Sequence, residues 1–136
     1  MSETPPRNLI MRTKIFSYDC IRFCLTLKQK HPLAQHVKRQ LFRCSTSVAS
    51  NYRAAFIAPT RKSFGAKLSI CAEEADETAY WLNVVCDFSL VDPFISDHKL
   101  EHTPRSLLKE SDELTRIFIA SRKRVATSDA GSEDRP

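Results

Sequence analysis

Residues 33 to 55 limit what this chain can fold into more than any other stretch. Leu33, Val37, Leu41, Cys44, Val48, Tyr52 and Ala55 follow one another at spacings of 4, 4, 3, 4, 4 and 3. A helix with 3.6 residues per turn places all seven on one face. The stripe persists for about six turns, too long for a strand and too regular for a loop. Arg39, Arg43, Thr46, Ser50 and Arg53 share a second face that points away from the first at 100° per residue. The segment therefore predicts a helix over 32–57 with a core seam on one side and a cationic ridge on the other. The rest of the chain has to cover that seam.

Three more helices are predicted. The first spans 7–28, where Leu9, Phe16, Cys20, Phe23 and Leu27 form a stripe that Ile10, Met11, Ile15, Tyr18, Ile21, Cys24 and Leu25 widen beyond one buried face. Its consistent polar strip is Arg12, Asp19, Arg22 and Thr26. A helix this apolar in a small bundle calls for a second covering surface, which points to self-association. The third spans 61–88, capped by Thr60 after Pro59, with a seam of Phe64, Leu68, Cys71, Ala75, Ala79, Leu82 and Cys86. Ile70, Trp81, Val84 and Phe88 add a second apolar strip. The fourth spans 104–125, opened by Thr103-Pro104 as N-cap and first position. Residues 1–6 read as a frayed leader and 127–136 as a disordered tail, leaving one domain over 7–126. Short connections between the first three helices make neighbours antiparallel, hence an all-α, up-down-up-down four-helix bundle.

Composition narrows the function classes. Gly65 and Gly131 are the only glycines, too few for the turns of a sandwich or a doubly wound sheet. No apolar run reaches the roughly 18 residues of a membrane span, and the N-terminus lacks a secretory pattern, so a cytoplasmic protein is expected. The five cysteines fit reduced core residues. The net charge of +5 is unevenly spread: from Arg7 to Lys62 there are 12 Lys/Arg against the single acid Asp19. Such a basic half suits an acidic partner, most often nucleic acid, or else is a solvated basic surface or docks on the acidic half of a neighbouring subunit.

Three blocks resemble a known family. They are the run from Gln40 to Ala55 (QLFRCSTSVASNYRAA), then Phe64 to Ile70 with Glu73 to Leu82, then Leu108 to Ser121. In order and spacing they are similar to the four-helix-bundle proteins related to the 23S rRNA intervening-sequence proteins, over about Leu9 to Val125. The resemblance implies a bacterial, non-enzymatic protein assembling as a ring-shaped homopentamer. A related branch, the retroelement accessory variability proteins, binds nucleic acid and a reverse transcriptase. The connection from Phe88 to Pro104 departs from the family's tight turn and leaves the start of the last helix open.

No nucleophile–base pair, Gly-rich phosphate loop or Glu-x-x-His pattern is present, so no catalytic residue, cofactor or metal is assigned. His98 and His102 have metal-clip spacing only if helical, and read as surface histidines. Lys38, Arg39, Arg43, Arg53, Arg61 and Lys62 are the candidate nucleic-acid contacts, acting on phosphate. Ser47 and Asn51 lie at the edge of the core seam. They are read as structural polar groups, Asn51 reaching across to Glu74 or Glu110 to fix register. The competing function is a protein-interaction scaffold whose basic face binds an acidic protein.

Overall fold

The computed structural model describes residues 5–95 and 102–133, with side chains over 8–95 and 102–127. Four helices follow one another: α1 (Pro5–Cys24), α2 (Pro32–Phe56), α3 (Arg61–Phe88) and α4 (Pro104–Glu133). Among the described residues no strand forms, and the only extended pairing is an isolated bridge between Leu27 and Val91.

Local chemistry sets the starts. Thr60 Oγ1 accepts from Ser63 N at 3.0 Å while Ser63 Oγ accepts from Thr60 N at 3.2 Å, a reciprocal box that satisfies two end amides of α3. Thr103 and Ser106 repeat the device at α4, with 3.1 and 3.0 Å bonds. His31 caps α2, its Nδ1 accepting from Ala34 N at 3.3 Å, and Pro32 takes the first helical position. α1 begins at Pro5, earlier than the expected Arg7, because a proline in the first turn gives up only an amide that had no helical partner. Residues 1–4 lie outside the described residues.

The ends differ more from expectation. α1 stops at Cys24, not Lys28. The next amides turn inward to i−3 carbonyls, and Lys28 N then donates to Leu90 O at 2.9 Å while Asp92 N donates to Thr26 O at 2.8 Å. Pairing with the segment after α3 thus replaces the last helical turn. Ser89 ends α3 with φ 52°, a left-handed residue that folds Leu90 back into the core, where it is fully buried. The backbone of α4 continues to Glu133, beyond the expected 125 and through part of the stretch read as a tail; residues 134–136 lie outside the described residues.

One core joins all four helices. The α2 seam is buried as its spacing requires, with Val37, Leu41, Cys44, Val48, Tyr52 and Ala55 inside and Leu33 half-buried. Phe16, Cys20, Phe23 and Leu27 meet it from the α1 side, Leu68, Cys71, Ala75 and Leu82 from α3, and Leu114 and Phe118 from α4. Contacts step in opposite senses along successive helices. Cys24 meets Lys38 and Lys28 meets Gln35; Cys71 meets Val48 and Trp81 meets His36; Ser111 meets Ala75 and Val125 meets Gly65.

The thiols belong to this core. Cys20, Cys24, Cys44 and Cys71 are buried and Cys86 half-buried, all unpaired. Burial pushes the Cys24 and Cys71 thiols up to about 12 and that of Cys44 to about 11, and holds Cys20 well above its usual range. At these four buried positions little thiolate forms near neutral pH, and the four act as small apolar groups rather than nucleophiles.

Candidate nucleic-acid interface

The predicted ridge lies on α2 and the start of α3, but it is not continuous. Arg39 and Arg53 are exposed and make no ion pair among the described residues. Arg61 and Lys62 are exposed in the first turn of α3. Lys38 is half-buried on the side facing α1, where its carbonyl lies 3.9 Å from Cys24 Sγ. Arg43, the middle of the ridge, leans onto α3. Its Nη1 donates to Glu74 Oε2 at 3.3 Å and its Nη2 to Glu77 Oε2. The guanidinium reaches carboxylates because α3 runs beside α2 at that level, which a helical wheel for α2 alone does not reveal. The same Glu77 oxygen accepts from Trp81 Nε1 at 3.1 Å, and Trp81 packs edge-on against His36 at 5.3 Å.

The cations therefore fall into two groups. Lys38 and Arg39 stand in the first half of α2. Arg53, Arg61 and Lys62 stand at the α2–α3 junction. Arg53 also borders a hollow of about 660 Å³ lined by Ile10, Ser50, Ala54, Phe56 and Ile57. A second hollow, of about 650 Å³, opens at the other end, between the turn of Lys28, Lys30 and His31 and the turn of Asp92 and Phe94. The first lies between α1 and the end of α2, and the second is made by two connections far apart in sequence, so the periodicity of a single helix marks neither.

The structural polar residues are placed differently from expectation. Asn51 does not reach Glu74 or Glu110. Its Nδ2 donates to Ser47 O at 2.9 Å and to Ser47 Oγ at 2.8 Å, a local bond one turn back along α2. Glu74 is taken by Arg43. Its carboxyl is raised above the ordinary range, by burial first, with Arg43 opposing and Glu77 reinforcing. Glu110 accepts both Nε and Nη2 of Arg12 at 2.8 and 2.7 Å, a fork that raises the Arg12 pKa. The cross-helix polar bond that periodicity missed is Ser111 Oγ to Ala75 O, 2.6 Å and buried.

The polar strip of α1 is only partly turned inward: Arg22 stays exposed and donates to Asp19 Oδ1 at 3.2 Å. Arg12 faces Glu110 and Glu113, Asp19 meets His102 Nε2 at 3.0 Å, and Thr26 is buried. Solvent also meets Met11, Ile15, Tyr18 and Leu25, each about half exposed. His102 is thus engaged with a carboxylate, and His98 lies outside the described residues. Among the described residues no cluster of three metal-binding side chains occurs. No helix of the described residues is long and apolar enough to cross a membrane.

Comparison with known proteins agrees with this architecture. Residues 11–119 match the family described as 23S rRNA-intervening sequence protein. A solved structure from Bacteroides thetaiotaomicron VPI-5482, a protein of unknown function from the S23 ribosomal protein family, superposes with a TM-score of 0.51 at 22% identity. The match covers 83% of this chain and 99% of that one, which speaks for the fold. None of the curated proteins matches.

Proposed function

The chain belongs to the 23S rRNA-intervening sequence protein family, and on that premise we propose that it is a non-enzymatic nucleic-acid-binding accessory protein working as a homo-oligomeric ring. The observation that carries the binding reading is the pair of exposed cationic groups on α2 and α3. Arg39 and Arg53 have no carboxylate partner among the described residues, whereas Arg43 beside them has two. Cations left to solvent suit phosphate, which binds by counterion release and without sequence preference. Lys38, Arg61 and Lys62 extend the surface, and Arg43 contributes less because Glu74 and Glu77 already offset it.

The opposite stepping of contacts along successive helices supports an antiparallel up-down-up-down bundle. The outward Met11, Ile15 and Tyr18 of α1 support self-association, and the family resemblance makes the proposed ring a pentamer. They recur at helical spacing and form one apolar strip. A ring repeats the cations and converts weak contacts into avidity.

The test is a salt titration. Wild type should bind RNA or DNA with dissociation constants on the order of micromolar at physiological salt, weakening steeply as salt rises. Arg39→Gln with Arg53→Gln should flatten that slope while light scattering shows unchanged assembly. Unchanged slope in an assembled double variant would move the site elsewhere. Capture of an acidic protein that plain RNA fails to displace would favour the scaffold function.

A further inference from the structure

At the end of the molecule remote from the α2–α3 junction, two connections are tied together by backbone hydrogen bonds. Asp92 N is held by Thr26 O at 2.8 Å, and Lys28 N by Leu90 O at 2.9 Å. From this anchor the second connection makes a tight turn. Asp92 Oδ1 accepts from Phe94 N at 2.9 Å and Asp92 O from Ile95 N at 3.2 Å. The turn presents Phe94, which is 96% exposed. The ring adds nothing to the core, yet its backbone is pinned to the core. An exposed aromatic on its own needs no explanation. This one shares a hollow of about 650 Å³ with Lys28, Lys30 and His31, a volume within the range of small-ligand sites. Neither lysine makes an ion pair among the described residues. The one carboxylate in the hollow, Asp92, has an oxygen engaged by the turn it stabilises.

We propose that Phe94, with Lys28, Lys30 and His31, forms a binding site for unpaired nucleotides, in which a base stacks on Phe94 while the cations hold its phosphates. A flat ring and ammonium groups across one hollow match the two halves of a nucleotide. Stacking requires an open base face, so the site takes single strands and leaves a closed duplex to the cationic groups of α2 and α3. Every base has a π-face, so the site selects strand state rather than sequence. The inference rests on the nucleic-acid reading above and adds a preference which that reading does not contain. It also places a contact where the ridge has none.

The experiment uses the full chain and a site-specific reporter. The Phe94→Trp variant keeps an aromatic platform, and wild type, with Trp81 alone, supplies the baseline. Oligothymidylate and oligouridylate should quench the variant's added emission, and a blunt duplex of equal length should not. Phe94→Ala should weaken oligothymidylate binding by roughly fivefold or more and leave duplex binding and the salt slope unchanged. Lys28→Gln with Lys30→Gln should lower the logarithmic salt slope for the single strand by about one to two. Equal affinity of wild type and Phe94→Ala for single strands, with binding still lost in Arg39→Gln/Arg53→Gln, overturns this site and leaves the proposed function standing. Quenching that persists in Arg39→Gln/Arg53→Gln, with the salt slope unaltered, supports this site and removes the ridge. No binding of either nucleic acid by wild type at low salt overturns both.

Discussion

Where α2 meets α3, the helices share a buried apolar seam: Cys71 Sγ lies 3.8 Å from Val48 O, Thr78 Oγ1 donates to Cys44 Sγ at 3.1 Å, and Leu82 is completely enclosed. Charged groups appear only at the edge, as the Arg43–Glu74–Glu77 cluster. Where α1 meets α4, the touching surface is much smaller and is marked by the ion pairs of Arg12 with Glu110 and Glu113, with Asp19 bonded to His102 just before α4. Apolar burial scales with area and supplies most of the stability. Partly exposed ion pairs supply little energy but punish the wrong partner. The α2–α3 seam, with the equally extensive α3–α4 contact, therefore holds the fold together, while the α1–α4 seam selects the arrangement. The single acid of the basic front half, Asp19, is employed in that selection.

Leu82→Ala should show the largest effect, a loss of about 2–5 kcal/mol in denaturant unfolding, because it opens a cavity in the tight seam. Arg12→Met should cost less, about 1 kcal/mol, since its fork with Glu110 is partly open to solvent and its methylenes still pack. A loss at Arg12 equal to that at Leu82 would erase the distinction drawn here.

Gly65→Ala probes the α3–α4 contact, which is as extensive as the α2–α3 seam. An added Cβ would meet Val125 Cγ1 at 3.4 Å, an ordinary van der Waals contact. Helix propensity should then win, with a gain of roughly 0.5–1 kcal/mol in thermal or denaturant unfolding. A loss instead would mean that Val125 cannot give way to the added methyl group.

The smallest effect is expected at Glu74, on the edge of the strong seam. Its carboxyl is raised in the folded state, chiefly by burial, so the folded state binds its proton more tightly than the unfolded chain does. The resulting stabilisation is complete below the ordinary carboxylate range and is lost as pH rises through the folded-state value. Unfolding curves of Glu74→Gln should therefore match wild type at neutral pH within about 0.5 kcal/mol, and the variant should lack the small contribution that wild type gains on acidification. A large neutral-pH loss would give the Arg43 cluster a share in holding the fold.

The strong seam is also the legible one. The 4, 4, 3 spacing from Leu33 to Ala55 identifies buried positions because one helix face has one environment. Thr60 and Thr103 are readable as caps because capping is local. What failed depends on neighbours. Arg43 sits opposite the apolar stripe on a wheel, yet α3 supplies carboxylates within its reach. Arg12 and Asp19 look like a solvated strip, but Glu110 and Glu113 of α4 cover the first and His102, just before α4, meets the second. The position of Asn51 beside the seam suggests a partner on another helix, yet Ser47, one turn away, satisfies it. The hollow at Phe94 was invisible for the same reason: its two walls are far apart in sequence. No periodicity spans them.

The bridge between residues 26–28 and 90–92 also has a kinetic meaning. It encloses the whole of α2 and α3, so closing it before those helices pack against each other costs the entropy of a long open loop. Contacts across so long a loop reward the chain only after its closure entropy is met. The amides of Lys28 and Asp92 then act as clocks for complete folding. In hydrogen exchange they should rank with the slow amides of the core, while those of Leu25 and Ala58, bonded within single turns at helix ends, should exchange through local fraying.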